Sequence, residues 1–483
     1  VSGAEVDVVV VGSGPNGLAA AIVLAQAGAS VLVLEGRDEP GGGMRTAALT
    51  LPGFLHDVCS TCHPTGILSP LFRALPLAEH GLRWVQPSIS VAHPLDDQPA
   101  VLLSRSLDDT ARALDVDERA YRRTFAPLLE DAEGLMGDVL APLRWPRHPL
   151  RLLRFGLSAI RSAAGFARGR FRGARARALF AGCAAHSMMP LDHAVTAALG
   201  LVFCLTGHVV DWPYVAGGTA NLTRALVGVL TSLGGRVETG RWVRSLADLP
   251  PARAVLFDTS PAQLEAIAGP ALPARYLRRL RRYRYGPGVF KIDWALDGPI
   301  PWRDPAVGRA ATVHLGGTLE EVAASEAAMW RGEHAERPFV LLCQPSIVDE
   351  TRAPAGKQVG YAYCHVPGGS TADRTAAIEA QVERFAPGFR DRILARHTMT
   401  AAQLAEYNPA WPGGAITGGV ADWAQLFTRP VARLSPYTTP NPRLFLCSAS
   451  TPPGGGVHGM CGDWAARAVL RRLPRLPRGP IPG

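Results

Sequence analysis

An α/β fold is predicted: a Rossmann-type dinucleotide-binding domain built from discontinuous segments, with a second α+β domain inserted into it. Three observations predict it. The run Val6-Asp7-Val8-Val9-Val10-Val11 opens directly into Gly12-Ser13-Gly14-Pro15-Asn16-Gly17. A helical stretch follows, then a second apolar run, Val31-Leu32-Val33-Leu34, that ends in Glu35. Near the other end of the chain, Leu444 to Ser448 reads as a further buried strand and leads into Pro453-Gly454-Gly455-Gly456-Val457-His458-Gly459. The two ends read as halves of one cofactor site.

Each piece of the first half has a physical role. Gly12 allows the tight turn out of the strand, Gly14 lets the backbone approach a pyrophosphate, and Gly17 lets the helix pack closely on the sheet. The helix start presents unpaired N–H groups and a positive dipole end to the phosphates. Ser13, Pro15 and Asn16 share this loop and are candidate contacts. Glu35 stands where a carboxylate accepts hydrogen bonds from ribose hydroxyls, and it would repel a 2′-phosphate. A lone glycine fingerprint is weak; here strand, helix and acid all fall at the expected spacing.

After Glu35 comes Gly36-Arg37-Asp38-Glu39-Pro40-Gly41-Gly42-Gly43-Met44-Arg45-Thr46. A second glycine cluster past the ribose acid is not needed for NAD, and it resembles the extended signature of amine-oxidase-type FAD proteins. Leu51-Pro52-Gly53-Phe54, His56-Asp57, Trp212-Pro213, Gly217-Gly218, Tyr285 to Lys291 and Gly454 to Gly459 carry the likeness along the chain. Over its full length the chain resembles the phytoene-desaturase-like (carotenoid desaturase) flavoproteins.

That resemblance implies non-covalent FAD. It places contacts at Gly36, Arg37, Gly41, Gly42, Gly43, Met44 and Arg45, and sets the backbone near Val243 against the adenine. At the C-terminal end it adds Ser450, Gly455, Val457, Gly459, Met460 and Cys461, the last as a backbone contact rather than a covalent attachment. One departure stands out. The family often has Arg directly after the paired glycines, where this chain has Gly43, and Arg45 is expected to take over that contact.

With 483 residues and 47% hydrophobic content the chain can bury a large core divided into two or three domains. Nothing resembles a signal peptide, and the eight scattered cysteines read as reduced thiols, so a cytoplasmic location is expected. Cys59-Ser60-Thr61-Cys62-His63 matches the c-type haem attachment pattern but sits beside the family-like Gly53 to Asp57, and reads as a chance match. The net charge of +9 is concentrated: no acid lies between Asp138 and Asp192, while ten arginines from Arg144 to Arg177 interleave with apolar residues. Such a stretch reads as a peripheral attachment to an anionic membrane, at the inner face of the cell membrane, or as a solvated helix face. No nucleic acid partner is expected, since no recognised fold accompanies the charge. The apolar run from Ala194 to Gly207 falls short of the roughly 20 residues that span a bilayer.

Domain boundaries follow from these signals. Residues 1–75, 211–270 and 430–475 are assigned to the FAD-binding domain, and 76–210 with 271–429 to the substrate domain; 476–483 form a basic, proline-rich tail. The first substrate segment reads as mostly helical. Strands are expected at Gly235 to Val243, Val289 to Leu296, Phe339 to Cys343 and Gly360 to Val366, with helices at Asn221 to Leu233 and Ala376 to Phe385.

The helix beginning at Gly459 is expected to stabilise negative charge on a reduced flavin through its amides and dipole. His458 is a candidate donor or proton relay titrating near neutrality beside the flavin ring. Lys291 is the other catalytic candidate. Only it and Lys357 are lysines among 50 basic residues, and its strand resembles one that carries a flavin-facing lysine in related proteins; pairing with Asp293 is the alternative. No metal-ligand spacing appears. Only one dinucleotide fingerprint is present, so electrons are expected to pass to oxygen, a quinone or another carrier. The leading reading is hydride removal from an activated C–H of a small apolar, isoprenoid- or polyene-like substrate. A redox-neutral double-bond isomerase, an amine oxidase and a non-catalytic flavin protein remain alternatives, because fold alone does not decide among them.

Overall fold

The computed structural model describes residues 6–146 and 148–475. A five-stranded parallel sheet runs in the order Leu444–Leu446, Ala252–Phe257, Val6–Val11, Val31–Leu34, Arg236–Glu238. Its first four strands are short, mostly apolar runs because both faces are covered, whereas the edge strand Arg236–Glu238 is polar and partly exposed. Val8 and Val10 point into the core beneath the helices Pro15–Gln26, Ala220–Ser232 and Met460–Leu470. Val9 and Val11 point into the core shared with the helices Pro261–Ala268 and Ala274–Leu280. The first and last long helices touch at backbone distance: a Cβ on Gly462 would lie 1.9 Å from the carbonyl oxygen of Asn16. Both ends of the chain are thereby locked into one wall.

A seven-stranded sheet stands beside it, in the order Ile393–Met399, Gly288–Leu296, Gln358–Val366, Val340–Cys343, Ala310–Leu315, Ile89–His93, Val101–Leu103. Neighbours are antiparallel except Ala310–Leu315 and Ile89–His93, which run parallel. Here the sequence reading needs correction. The segment 76–210 is not mostly helical at its start, because Ile89–His93 and Val101–Leu103 complete this sheet. Both are too short to show a strand period on their own; Val101–Leu103 pairs with the nearby Ile89–His93, and the pairing of Ile89–His93 with the distant Ala310–Leu315 joins both to the sheet. Ala310–Leu315 and Ile393–Met399 were likewise unforeseen. The strand expected from Gly235 to Val243 is only Arg236–Glu238, since Gly240 adopts a positive φ and turns the chain away.

Among the described residues, seven α-helices between Leu107 and Val210 form a layer over the larger sheet. Thr196–Val210 is the apolar one foreseen in the sequence, and no helix among the described residues is long and apolar enough to cross a membrane. The tail 476–483 and Arg147 lie outside the described residues.

Candidate active site

A cavity of about 1130 Å³ extends from the glycine loop, between the two sheets, to the helical layer. Gly12, Ser13, Gly14, Pro15 and Asn16 line one end, with Glu35, Gly36, Arg37, Gly42, Gly43, Arg45 and Val243. Ser450, Gly455, Val457 and His458 line the opposite wall. The two halves read from the sequence thus meet in one space.

Glu35 is held by a ring of donors. It accepts from the Ser13 amide (3.1 Å) and hydroxyl (2.5 Å) and from the Arg37 amide (2.9 Å), and Arg45 lies 3.3 Å away. Arg45 also donates to the carbonyls of Glu39 and Gly42, so it braces the second glycine cluster. Gly43 packs closely on Trp411: a Cβ there would lie 3.2 Å from the ring.

Asp258 was missed in the sequence. It follows the strand Ala252–Phe257 and accepts the Gly17 amide proton at 2.8 Å. A Cβ on Gly14 would sit 2.5 Å from its Oδ2, so the bare backbone at Gly14 makes room for the carboxylate. Burial pushes its pKa up to about 7; the Gly17 amide opposes the shift and Glu35 adds to it. An Asp directly after a buried strand, ahead of the Ser260-Pro261 helix start, was the available signal.

Gly17, Gly41, Met44, Gly459, Met460, Cys461 and Lys291 do not line the cavity; they act from behind the wall. Gly17 is pressed on Gly12, where a Cβ would lie 2.1 Å from the carbonyl oxygen. The Gly41 amide faces Ser13, and the Met44 carbonyl accepts from Thr223 at 2.7 Å. Gly459 takes a φ of +68° to start the last helix, and Met460 donates its amide to His458 Nδ1 at 3.0 Å. The Cys461 thiol donates to the carbonyls of Thr451 and Gly454, and burial raises its pKa to about 11.

His458 needs a correction. Burial lowers its pKa to about 4, so it stays neutral where titration near neutrality was expected. Its Nδ1 accepts from Met460, which leaves the proton on Nε2. Lys291 is fully buried and ion-paired with Asp293, and its amine lies 4.6 Å from the centre of the Tyr361 ring. Tyr361 lines the cavity, whereas the amine stands behind it.

The cavity's residues suit FAD. Asn16 Oδ1, Arg37 Nε, Thr259 Oγ1 and His458 Nε2 are buried without hydrogen-bond partners, and all four residues line it. Orphaned polar atoms are costly unless something binds them, and these surround the region that a dinucleotide would fill.

Beyond the glycine loops the cavity becomes a chamber walled by Met188, Phe203, Trp212, Leu341, Tyr363 and Trp411. Its carboxylates are few: among the described lining residues only Glu35, Asp138 and Asp258 are acidic. Glu35 and Asp258 serve the glycine loop, while Asp138 accepts from Arg144 at 3.3 Å and from the His148 amide at 3.4 Å.

The rim of the chamber is apolar. Leu143, Ile160, Trp423, Phe427 and Leu434 line it and are exposed to solvent. Beside it the helix Pro149–Ala159 buries Phe155 and Ala159 but leaves Leu150, Leu153 and Leu157 at 80%, 59% and 62% exposure. The spacing places these leucines on one outward face. The arginines of this region are largely engaged. Arg151 pairs with Asp131 and Arg168 with Glu320, Arg170 donates to Thr124, Arg175 to Ala113 and Ala100, and Arg177 to Phe171. The charge run is therefore mainly structural, and the exposed feature is a leucine stripe.

Comparison with known proteins agrees with this architecture. Residues 10–75 match the model of the NAD(P)-binding Rossmann-like domain. The chain is 27% identical to the rat (Rattus norvegicus) pyridine nucleotide-disulfide oxidoreductase domain-containing protein 2, over 98% of this chain and 94% of the relative. It is 33% identical to hydroxyneurosporene desaturase of Cereibacter sphaeroides, over 29% of this chain and 32% of that protein. A redesigned putrescine oxidase superposes with a TM-score of 0.62 at 18% identity, covering 97% of this chain and 99% of that one. The chain has the amine-oxidase-like fold, with a parallel dinucleotide-binding sheet beside a mixed sheet.

Proposed function

We propose that the protein is an FAD-dependent oxidoreductase of desaturase type, removing hydride from an activated C–H of a small apolar, isoprenoid- or polyene-like substrate. FAD, when bound, supplies the two-electron acceptor. The protein's share is to grip the dinucleotide through the Gly12–Gly17 loop and Glu35, to hold apolar substrate among aromatic walls, and to exclude water. The observation that carries the reading is the chamber lining, which is mostly apolar and, among the described residues, has no carboxylate free to meet a cationic amine. A buried ammonium needs such a partner. The partial likeness to hydroxyneurosporene desaturase points the same way.

Substrate entry belongs to the same reading. The exposed leucines at the rim suit insertion into a membrane surface, from which an apolar molecule passes into the chamber without crossing water. With a single dinucleotide fingerprint in the sequence, the electrons go on to oxygen, a quinone or another carrier.

The test is anaerobic mixing of the FAD-loaded protein with hydroxyneurosporene and, separately, with putrescine. Loss of oxidised-flavin absorbance with the polyene alone is expected. Bleaching by the amine alone would establish an amine oxidase. Conversion of the polyene without lasting bleaching and without an acceptor would establish an isomerase.

A further inference from the structure

The glycine loop, where a dinucleotide phosphate is expected, already holds two carboxylates. Its backbone donors are nearly all taken. The Gly12 amide donates to the Leu34 carbonyl at 2.8 Å, the Ser13 amide to Glu35 at 3.1 Å and the Gly17 amide to Asp258 at 2.8 Å. The Gly14 amide also acts on Asp258, and Pro15 has no N–H. Among the described residues this leaves the loop one open backbone donor, the amide of Asn16 in the first turn of the helix.

The two acids are not alike. Glu35 has Arg45 3.3 Å away and accepts three hydrogen bonds, so its charge is compensated. Asp258 has no such partner, because the charged group that acts on it is Glu35, another anion. Its other titratable neighbours are thiols. Cys447 follows the strand Leu444–Leu446 and Cys461 lies in the helix Met460–Leu470, and burial keeps both protonated. Asp258 is only part-buried and lines the cavity, so solvent reaches its carboxylate through the space a cofactor would fill.

A pyrophosphate in that space acts on Asp258 twice, in the same direction. It shuts out solvent and sets another anion beside the carboxylate, and each effect favours the neutral acid. The protonated side chain keeps a carbonyl oxygen for the Gly17 amide and gains a hydroxyl that can donate. We propose that FAD binding takes up one proton from solution at Asp258, which then serves the cofactor as a neutral hydrogen-bond donor. The inference rests on the FAD reading above. No other bond changes: the proton leaves the buffer and joins a carboxylate oxygen.

The pH window follows from the apoprotein. Burial already raises Asp258 to about 7 there, so below that pH the proton is present before FAD arrives, and above it the proton is drawn from the buffer. The histidines that line the cavity are neutral throughout this window: burial lowers His63 and His458 to about 4 and His186 to about 3.

Calorimetric titration of the full-length apoprotein with FAD tests this, at about pH 6 and about pH 8.5, each in two buffers of different ionisation enthalpy. The parent is expected to take up close to one proton per FAD at the higher pH and little at the lower. Its dissociation constant is expected to rise by up to about 10-fold per pH unit above about 7. Asp258→Asn offers an acceptor and a donor without titrating. It is expected to bind FAD equally at both pH values, with no uptake, and more tightly than the parent at the higher one. Asp258→Ser, which also does not titrate, takes its place if the Asn variant does not fold. FAD bound by the parent without proton uptake at about pH 8.5 overturns the inference, as does uptake that persists in the variants. A parent that binds no FAD at either pH overturns the FAD reading itself, and this inference with it.

Discussion

The Asp258 carboxylate accepts the Gly17 amide proton at 2.8 Å, which places a second acid under the helix start that a dinucleotide phosphate would face. Burial raises its pKa from 3.8 to about 7. Between those values the native state keeps a proton that the unfolded chain releases, so this group's contribution to stability falls as pH rises from about 4 to about 7. Asp258→Asn keeps an acceptor for Gly17 and removes the titration. Its melting temperature relative to the parent apoprotein is expected to rise between about pH 4 and pH 7 and to level off above that. A difference that does not vary with pH would show that Asp258 stays ionised.

Buried histidines oppose this trend. His63, His93, His208 and His458 each have a pKa lowered to about 4, with burial as the main cause. Below the ordinary value of 6.5 the unfolded chain takes up protons that the native state refuses. Their stabilisation is therefore full above pH 6.5 and lost as pH falls towards 4, at up to about 1.4 kcal/mol per pH unit for each group. Melting curves should shift steeply downward across that window. His458→Asn should make the slope shallower.

Lys291 and Asp293 form a buried pair, with His56 Nδ1 3.7 Å and His397 Nδ1 3.6 Å from the carboxylate. Removing the amine alone leaves Asp293 uncompensated, which costs about 3–5 kcal/mol. Lys291→Met is expected to lower the denaturant midpoint strongly, and the double variant Lys291→Met/Asp293→Asn to regain most of the loss. Equal stability of the two variants would remove the pair from the account.

Glu35 is predicted to set FAD affinity. Its hydrogen bonds to Ser13 and Arg37 hold it in the loop, and charged hydrogen bonds contribute about 1.5–3 kcal/mol. Glu35→Ala should weaken FAD binding roughly 10- to 150-fold. Titration of the apoprotein with FAD, followed by flavin fluorescence, checks this; an unchanged dissociation constant would mean that the ribose is held elsewhere.

Membrane attachment is predicted to depend on leucine more than on arginine. Each inserted leucine contributes about 1.5–3 kcal/mol, against about 1 kcal/mol for each free basic residue near an anionic surface. The parent is expected to float with phosphatidylserine-containing vesicles and the triple variant Leu150→Glu/Leu153→Glu/Leu157→Glu to stay behind. Arg154→Ser/Arg161→Ser should reduce flotation less. Retention of the triple variant would rule out the stripe as the contact.

The sequence by itself determined the dinucleotide sheet and its loop. Val6–Val11 and Val31–Leu34 form strands because each is a short apolar run that ends in a glycine turn or an acid, and Leu444–Leu446 is a short apolar run just after Asn441-Pro442; these signals are local. The glycine loops at both chain ends were legible for the same reason, since a backbone that bends sharply or approaches another needs residues without side chains. Only the tertiary structure decided the rest. Ile89–His93 gains strand identity from a partner more than two hundred residues away, and no local pattern announces that pairing. Asp258 reaches Gly17, and Lys291 turns to Asp293 behind Tyr361, because packing settles which buried charge meets which donor. The arginine run looked like a free cationic surface because its partners, Asp131, Glu320 and Thr124, lie outside it in sequence. Charge and periodicity are written along the chain; pairing and burial arise only when distant segments share one interior.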